Sequence, residues 1–576
     1  MKKPLWELII ILLFAAIVRF GGLNWCLPYN PHPDEWNMVR AITQLTWEEK
    51  LNPHFFAYGQ FPLYLTYFSA KLYNQTPWIN LSQIDTQEAI FFLRFWSAVA
   101  GIGTVFLVYL ISKRFLAVNC SLLATTLAVF TPGLIQISHF GTTESVLSFF
   151  FLLILLFSFL ILENPRLAAR QAKLKYYIFS GIIFGLAVGT KISALIFGFP
   201  VFLVFILQLL KKRTQIRNIG IHFLKNLSFL FFTALLTFIS SPYLVLAFKD
   251  SRGILLYEAS VATGKSAVFY TRQFINTTPV IFQLKKIFPY ALGWPIFILG
   301  AAGLVFSILV LLRKSKNLPP ITNYQLLITV LAFLSYFLSQ AFLFTKWTRF
   351  MAPIFAFFPI FAAFFIQKIV YVLRSKPLIT NCSLLITFIA ILPGLFFSSI
   401  YFLPDIRFTA SDWIYKNIPA ESLILFDTGN VVDIPINSPK TPKPLKAPNY
   451  QLISFDFYHL DENPELFPKL VNYLEESNYI IVPSRRSFMN HMRFPDKYPL
   501  TSRYYELLFS GKLGFSEIKI FHPFPTFQIS NFKFQIDDER SEETFTVFDH
   551  PTIRIYKKIK QLTKEDYNSL FKNETI

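Results

Sequence analysis

Runs of about twenty mainly apolar residues recur eleven times along this 576-residue chain, and that is the length a helix needs to cross the hydrocarbon of a bilayer. They fall near 5–23, 91–112, 118–136, 143–162, 176–190, 192–210, 226–248, 289–312, 325–344, 351–373 and 379–401. In lipid every backbone N–H and C=O must be bonded within the segment or to a close neighbour, so runs of this kind are helices. The fifth and sixth are short and nearly continuous, and the count can shift there by one or two. Composition agrees: 53% of residues are hydrophobic and 15% charged, against about a quarter charged in soluble domains. Lys2 and Lys3 precede the first run, which is long and has no small-residue cleavage motif after it; an uncleaved first helix is expected.

The formal net charge is +20. In a soluble protein that would raise the question of nucleic acid. Here the basic residues sit in short connections between apolar runs, such as Lys211-Lys212-Arg213 and Arg313-Lys314-Ser315-Lys316, where the positive-inside rule puts them. The charge is therefore read as topology, and nucleic acid is not expected as a partner. With the N-terminus inside the plasma (inner) membrane, every even-numbered connection is basic. The long loops 24–90 and 249–288 then face outward, as does everything after residue 402. Cys26, Cys120 and Cys382 are far apart and have no metal-type spacing.

The tail differs in kind. Ser422–Phe426 and Tyr479–Pro483 are short strand-like runs, and Asn463-Pro464-Glu465 opens a helix with Leu466, Leu470 and Leu474 on one face. Thr544–Lys557 reads as two alternating strands about a turn at Asp549-His550-Pro551. The Pro- and Lys-rich stretch 432–449 reads as a loop. The expected architecture is mainly α: a polytopic membrane helical bundle over 1–401, followed by an extracytoplasmic α/β domain over 402–576.

The outward loops carry the residues that suit chemistry. Asp34-Glu35 follows the first run, and an acidic pair there begins a helix, moves a proton or binds a cation. His139 and Glu144 lie before the fourth run, as substrate or metal candidates, with Thr142 and Thr143 also fit to cap a helix. Arg94 opens the second run, Lys191 lies between the fifth and sixth, and Lys346 and Arg349 lie between the ninth and tenth. Singly each is a weak signal. Together they put carboxylates, Lys and Arg at one membrane face. A base for an acceptor hydroxyl, with cations for a leaving phosphate, is what transfer from a phosphate-linked donor requires.

His32-Pro33-Asp34-Glu35, Leu93-Arg94-Phe95, Ser138 to Glu144, Gly185 to Lys191 and Arg349-Phe350-Met351-Ala352-Pro353 stand in an order that resembles the GT-C superfamily of membrane glycosyltransferases. The similarity is to its bacterial branch, which is like protein O-mannosyltransferases and the lipid A aminoarabinose transferase (glycosyltransferase family 39-like). It covers roughly residues 1–400. The resemblance implies a polyprenyl-phosphate-linked sugar donor, a lipid, glycan or protein acceptor reached from outside, and inversion at the sugar carbon. By motif, Asp34 becomes the general base and Glu35 its support. Arg94, with Lys191, Lys346 and Arg349, becomes the donor-phosphate clamp. Glu144 stands where many relatives have Asp, which leaves a divalent metal open. The segment Glu542 to Pro551 is also familiar from bacterial members, without an implied role.

Two other classes compete. A flippase or transporter of lipid-linked saccharides would carry inverted repeats and midplane charges, whereas the charges here sit at helix ends on one side. A non-catalytic scaffold presenting the tail leaves the acidic pair and Arg94 unexplained.

Overall fold

A computed structural model describes residues 3–75, 83–163, 170–210, 216–313, 320–373, 376–427, 434–436, 448–525, 527–529 and 532–572. The helices in chain order are α1 (Lys3–Phe20), α2 (Pro33–Thr43), α3 (Phe61–Asn74), α4 (Thr86–Ser112), α5 (Val118–Val129), α6 (Pro132–His139), α7 (Glu144–Glu163), α8 (Arg170–Val188), α9 (Phe199–Leu210) and α10 (Ile216–Ser240). Then follow α11 (Tyr243–Leu246), α12 (Phe248–Ala262), α13 (Phe288–Ala291), α14 (Trp294–Leu312), α15 (Pro320–Ala341), α16 (Thr348–Phe355), α17 (Phe357–Leu373) and α18 (Lys376–Phe402). Among the described residues seven helices are long and apolar enough to span a membrane, or nine if each of two bent pairs is one span. The eleven expected runs also included α1, which carries Lys3, Glu7 and Arg19, and α8, whose apolar part is the shorter Leu174–Val188.

The bent pairs are α5 with α6, at 54°, and α16 with α17, at 46°. Proline explains both: Pro132 starts α6 and Pro359 stands in the first turn of α17, each removing a backbone donor to the end of the preceding helix. The first break frees carbonyls at the end of α5, and the fully buried Arg19 caps them, donating to Val129 O at 3.3 Å and Ala128 O at 3.1 Å. Small residues let backbones meet. Along α8 and just past its end, Gly181, Gly185 and Gly189 repeat every fourth position against α10; a Cβ would come 2.5 Å from Phe229 O at the first and 2.7 Å from Thr233 O at the second.

Two compact units form, one of residues 1–24, 33–266 and 278–398, the other of 25–32, 267–277 and 399–576. The second unit therefore joins the C-terminal part of the chain with two short stretches from earlier in it. Its sheet has the order β2-β1-β3-β7-β4, built from β1 (Leu423–Asp427), β2 (Gln451–Phe455), β3 (Tyr479–Val482), β4 (Phe515–Phe521) and β7 (Ile553–Lys558). β1 runs parallel to both neighbours, and β7 antiparallel to β3 and β4. β5 (Phe527–Ile529) and β6 (Phe532–Phe534) make a separate hairpin.

Side-chain alternation sends Leu425, Ile480, Val482 and Tyr556 to one face, where Leu470 and Leu474 of α20 (Leu466–Glu476) and Tyr504 and Leu508 of α22 (Pro499–Phe509) pack. Ile424, Phe426, Ile481, Ile553 and Ile555 face the other way, onto Ala410 and Ile414 of α19 (Ile406–Asn417). The result is a helix–sheet–helix sandwich.

One expected strand is absent. Residues Glu543–Thr546 form a single helical turn, α23, and only the second half of the predicted pair is a strand, β7. The polar partners explain it. Glu543 takes an ion pair from Arg486 at 2.6 Å and a hydrogen bond from Asn490 at 2.6 Å, and Arg485 donates to Thr546 Oγ1 at 2.9 Å. These buried bonds specify a turn where alternation alone suggests a strand. Most of 432–449 lies outside the described residues.

Candidate active site

The site lies in the first unit and begins at α2. Pro33 opens the helix, so Asp34 and Glu35 stand in its first turn, where proline fits and acidic groups suit the positive end. Glu35 belongs to the inward stripe Glu35, Met38, Val39 and Ile42, whereas Asp34 lies off it. That one-residue difference separates their chemistry.

Glu35 is fully buried and receives a two-pronged ion pair from Arg94: Nε to Oε1 at 2.7 Å and Nη2 to Oε2 at 2.8 Å. The Gly141 N–H also donates to Oε1 at 2.7 Å. A Cβ at Gly141 would lie 2.7 Å from that oxygen and 2.7 Å from Leu93 Cβ, so only glycine admits the contact. Arg94 was expected in the first turn of its span. In fact α4 starts at Thr86, behind a capping box of Asp85 and Glu88, and Arg94 lies more than two turns in. Its side chain is 0% exposed and its Nη1 donates to Leu23 O at 2.8 Å. A donor phosphate at Arg94 would have to displace these partners, which brace α2 against α4.

Asp34 instead forms an ion pair with the Arg349 guanidinium, both side chains partly open. Arg349 lies over the Trp347 ring at 4.8 Å and the Phe350 ring at 5.9 Å. The Phe350 ring in turn carries Lys191 Nζ at 5.5 Å, with the Tyr58 ring on that ammonium at 4.8 Å. Lys191 also pairs with Glu144 Oε1 at 3.2 Å, and Thr143 Oγ1 donates to the same oxygen at 3.2 Å. Asp34, Arg349, Lys191 and Glu144 thus form one chain of charges linked through aromatic faces.

Local backbone holds Lys191 in place. Gly59 N–H donates to Thr190 O at 3.0 Å and Phe61 N–H to Gly189 O at 3.1 Å, while Ser241 Oγ–H donates to Gly189 O at 2.7 Å. Gln60 N–H reaches Ser241 Oγ at 2.7 Å. Glu258 of α12 adds a further carboxylate within electrostatic reach of Lys191; desolvation raises its pKa, and Lys191 works against the rise.

Two expected residues stand apart. His139 is fully buried, its Nδ1 2.9 Å from Ile135 O and its Nε2 2.8 Å from Gly21 O. Lys346 is buried with Nζ on Phe344 O at 2.9 Å, and desolvation lowers its pKa. With His139 committed to carbonyls and Glu144 to Lys191, the two do not fit a metal ion, and no group of three His, Cys, Asp or Glu gathers among the described residues.

Sequence reasoning missed Tyr58, Gln60, Ser241 and Glu258. The one available signal was Gly59, a small residue between Tyr58 and Gln60-Phe61 within an aromatic loop.

Residues 57–245, about a third of the chain, match the family model of dolichyl-phosphate-mannose-protein mannosyltransferases. No curated protein matches in sequence. Among solved structures, the oligosaccharyltransferase AglB of Archaeoglobus fulgidus is similar at 14% identity, over 87% of this chain and 72% of that one, with a TM-score of 0.51. ArnT of Cupriavidus metallidurans aligns at 12% identity over 86% of this chain and 95% of its own, with a TM-score of 0.47. The Pmt1-Pmt2 protein O-mannosyltransferase of S. cerevisiae aligns at 18% identity over 44% of this chain and 34% of its own, with a TM-score of 0.35. Residues 57–245 thus carry the pattern of that mannosyltransferase family model, and the chain as a whole is similar to AglB in fold.

Proposed function

We propose that this chain transfers a sugar from a polyprenyl-phosphate-linked donor to a lipid, glycan or protein acceptor at the extracytoplasmic face of the plasma membrane. The observation that carries the reading is the partly open Asp34–Arg349 pair, joined through Phe350 to Lys191. The family model is named for a dolichyl-phosphate mannose donor, and the AglB structure was determined with a dolichol-phosphate; both support a lipid-phosphate-linked donor here.

Asp34 takes the proton of the acceptor hydroxyl as that oxygen attacks the sugar carbon from the face opposite the phosphate. The carbon–oxygen bond to phosphate breaks, its electron pair leaves with the phosphate, and the sugar carbon is inverted. Arg349 and Lys191 receive the growing negative charge. An arriving phosphate competes with Asp34 for the Arg349 guanidinium, so donor binding itself frees the base. Arg94 and Glu35 act by holding α2 against α4, and Lys346 and His139 have no step.

The test uses the full-length protein in nanodiscs, supplied with polyprenyl-phosphate sugars and a panel of hydroxyl acceptors. Asp34→Asn should slow transfer by roughly 10²–10⁴-fold. Undiminished transfer in that variant removes the base. Movement of the lipid across the bilayer with no new glycosidic bond favours the flippase instead.

A further inference from the structure

A cavity of about 480 Å³ opens in the second unit where the C-terminus of α22 meets the edge strand β4 and its neighbour β7. That volume lies in the range of small-ligand sites, about 300–1,000 Å³. Phe488, Phe509, Phe515 and Tyr556 contribute four aromatic side chains to its lining. Phe509 is the open one, 39% exposed, with Phe488 edge-on to it at 5.1 Å and Tyr556 at 6.3 Å.

Planar polar groups stand among these rings. The Arg554 guanidinium lies over the Phe488 ring at 5.4 Å and donates through Nη2 to Glu539 Oε2 at 2.6 Å. Its Nη1 is buried without a hydrogen-bond partner among the described residues. Glu517 is exposed, and the Tyr556 hydroxyl donates to its Oε2 at 3.3 Å. The ladder between β4 and β7 shifts register between Glu517 and Lys519, the kind of bulge that re-aims a side chain. Ser510 and Ser516 add hydroxyls to the lining.

Charge decides the class of ligand. Glu517 repels an anion and the Arg554–Glu539 pair is already balanced, so neither a phosphate nor a nucleic acid is favoured. An apolar chain would leave Glu517 and Arg554 facing hydrocarbon at a desolvation cost. A neutral, flat, hydroxyl-rich ligand satisfies both sets of groups. Its C–H faces lie against aromatic rings, and its hydroxyls accept from the guanidinium and donate to the carboxylate. We propose that this cavity is a carbohydrate-binding site, built to hold one or two sugar units of a glycan by Phe509, Arg554 and Glu517. The site is independent of the role assigned to Asp34.

The test is saturation-transfer NMR and calorimetry on the full-length protein, in micelles whose headgroup is not a sugar. The probes are α-mannobiose, cellobiose and chitobiose. At least one should bind, with saturation strongest on its ring C–H protons. Phe509→Ala and Glu517→Gln, both at exposed side chains, should each weaken binding at least tenfold while leaving turnover of the lipid donor unchanged. Binding should persist undiminished in Asp34→Asn. Absence of binding by all three sugars overturns the site, as does equal affinity in both variants. Loss of binding in Asp34→Asn moves the sugar to the transfer centre and overturns it too. So does capture of an extended peptide on β4 in place of any sugar.

Discussion

Asp34 and Glu35 are neighbours whose environments push them to different tasks. One helical step turns Glu35 into the buried stripe of α2 and leaves Asp34 at the partly open edge. A buried carboxylate is tolerable only when paired and bonded, and Glu35 accepts from Arg94 twice and from the Gly141 N–H. Removing its charge strands the guanidinium. Glu35→Gln should therefore destabilise the first unit by about 3–5 kcal/mol, whereas Asp34→Asn should change stability by less than about 1 kcal/mol. Thermal unfolding of the two variants in detergent, followed by tryptophan fluorescence, separates them; equal midpoints would contradict the brace. The dipeptide was visible in the sequence as a candidate, but the division of labour was not. It depends on which side of α2 meets α4, and the short pattern Pro33–Thr43 does not state its partner.

At the scale of elements, the runs of apolar residues were legible because lipid leaves a helix little alternative. What they could not show was where α4 begins. The polar start Asp85 to Glu88 lengthens it beyond its apolar part and carries Arg94 two turns inward. The strand expected at 544–548 failed for a related reason: alternation counts side chains, while Arg485, Arg486 and Asn490 decide the backbone. The glycine spacing on α8 was in plain view, and its meaning came only with α10. Gly185→Ala places a methyl 2.7 Å from Thr233 O and 2.8 Å from Leu236 Cβ, with a backbone oxygen that cannot turn away. Overpacking of that kind costs about 1–3 kcal/mol. The separated helices should also displace the Gly189–Lys191 turn, so donor KM should rise along with the fall in thermal midpoint. A variant with the parent's midpoint and KM would show that the two helices have slack.

For the molecule as a whole, the change from lipid-facing runs to a mixed α/β pattern after residue 402 marked a second body, but not the return of 25–32 and 267–277 to it. The second of these stretches joins through groups that no periodicity reveals. Arg272 donates to Tyr458 O at 2.6 Å and pairs with Glu462 at 2.5 Å, and Gln273 donates to Glu542 at 2.7 Å. The second unit also contains a titratable lock, since His550 is fully buried between Asp549 at 2.5 Å and Asp538 at 2.9 Å. Desolvation opposes its charge, but the two carboxylates prevail and hold its pKa up at about 10, from an ordinary value of 6.5. A pKa raised in the folded state means that stability is fully present below about 6.5 and is lost as pH climbs through 10. Unfolding of the second unit, followed by protease susceptibility between pH 6 and pH 10.5, should therefore become easier toward the alkaline end. His550→Gln should be weaker at pH 6 and lose most of that slope, because its amide cannot carry the proton. If the variant keeps the parent's full alkaline slope, other groups govern it and the two aspartates hold a neutral ring.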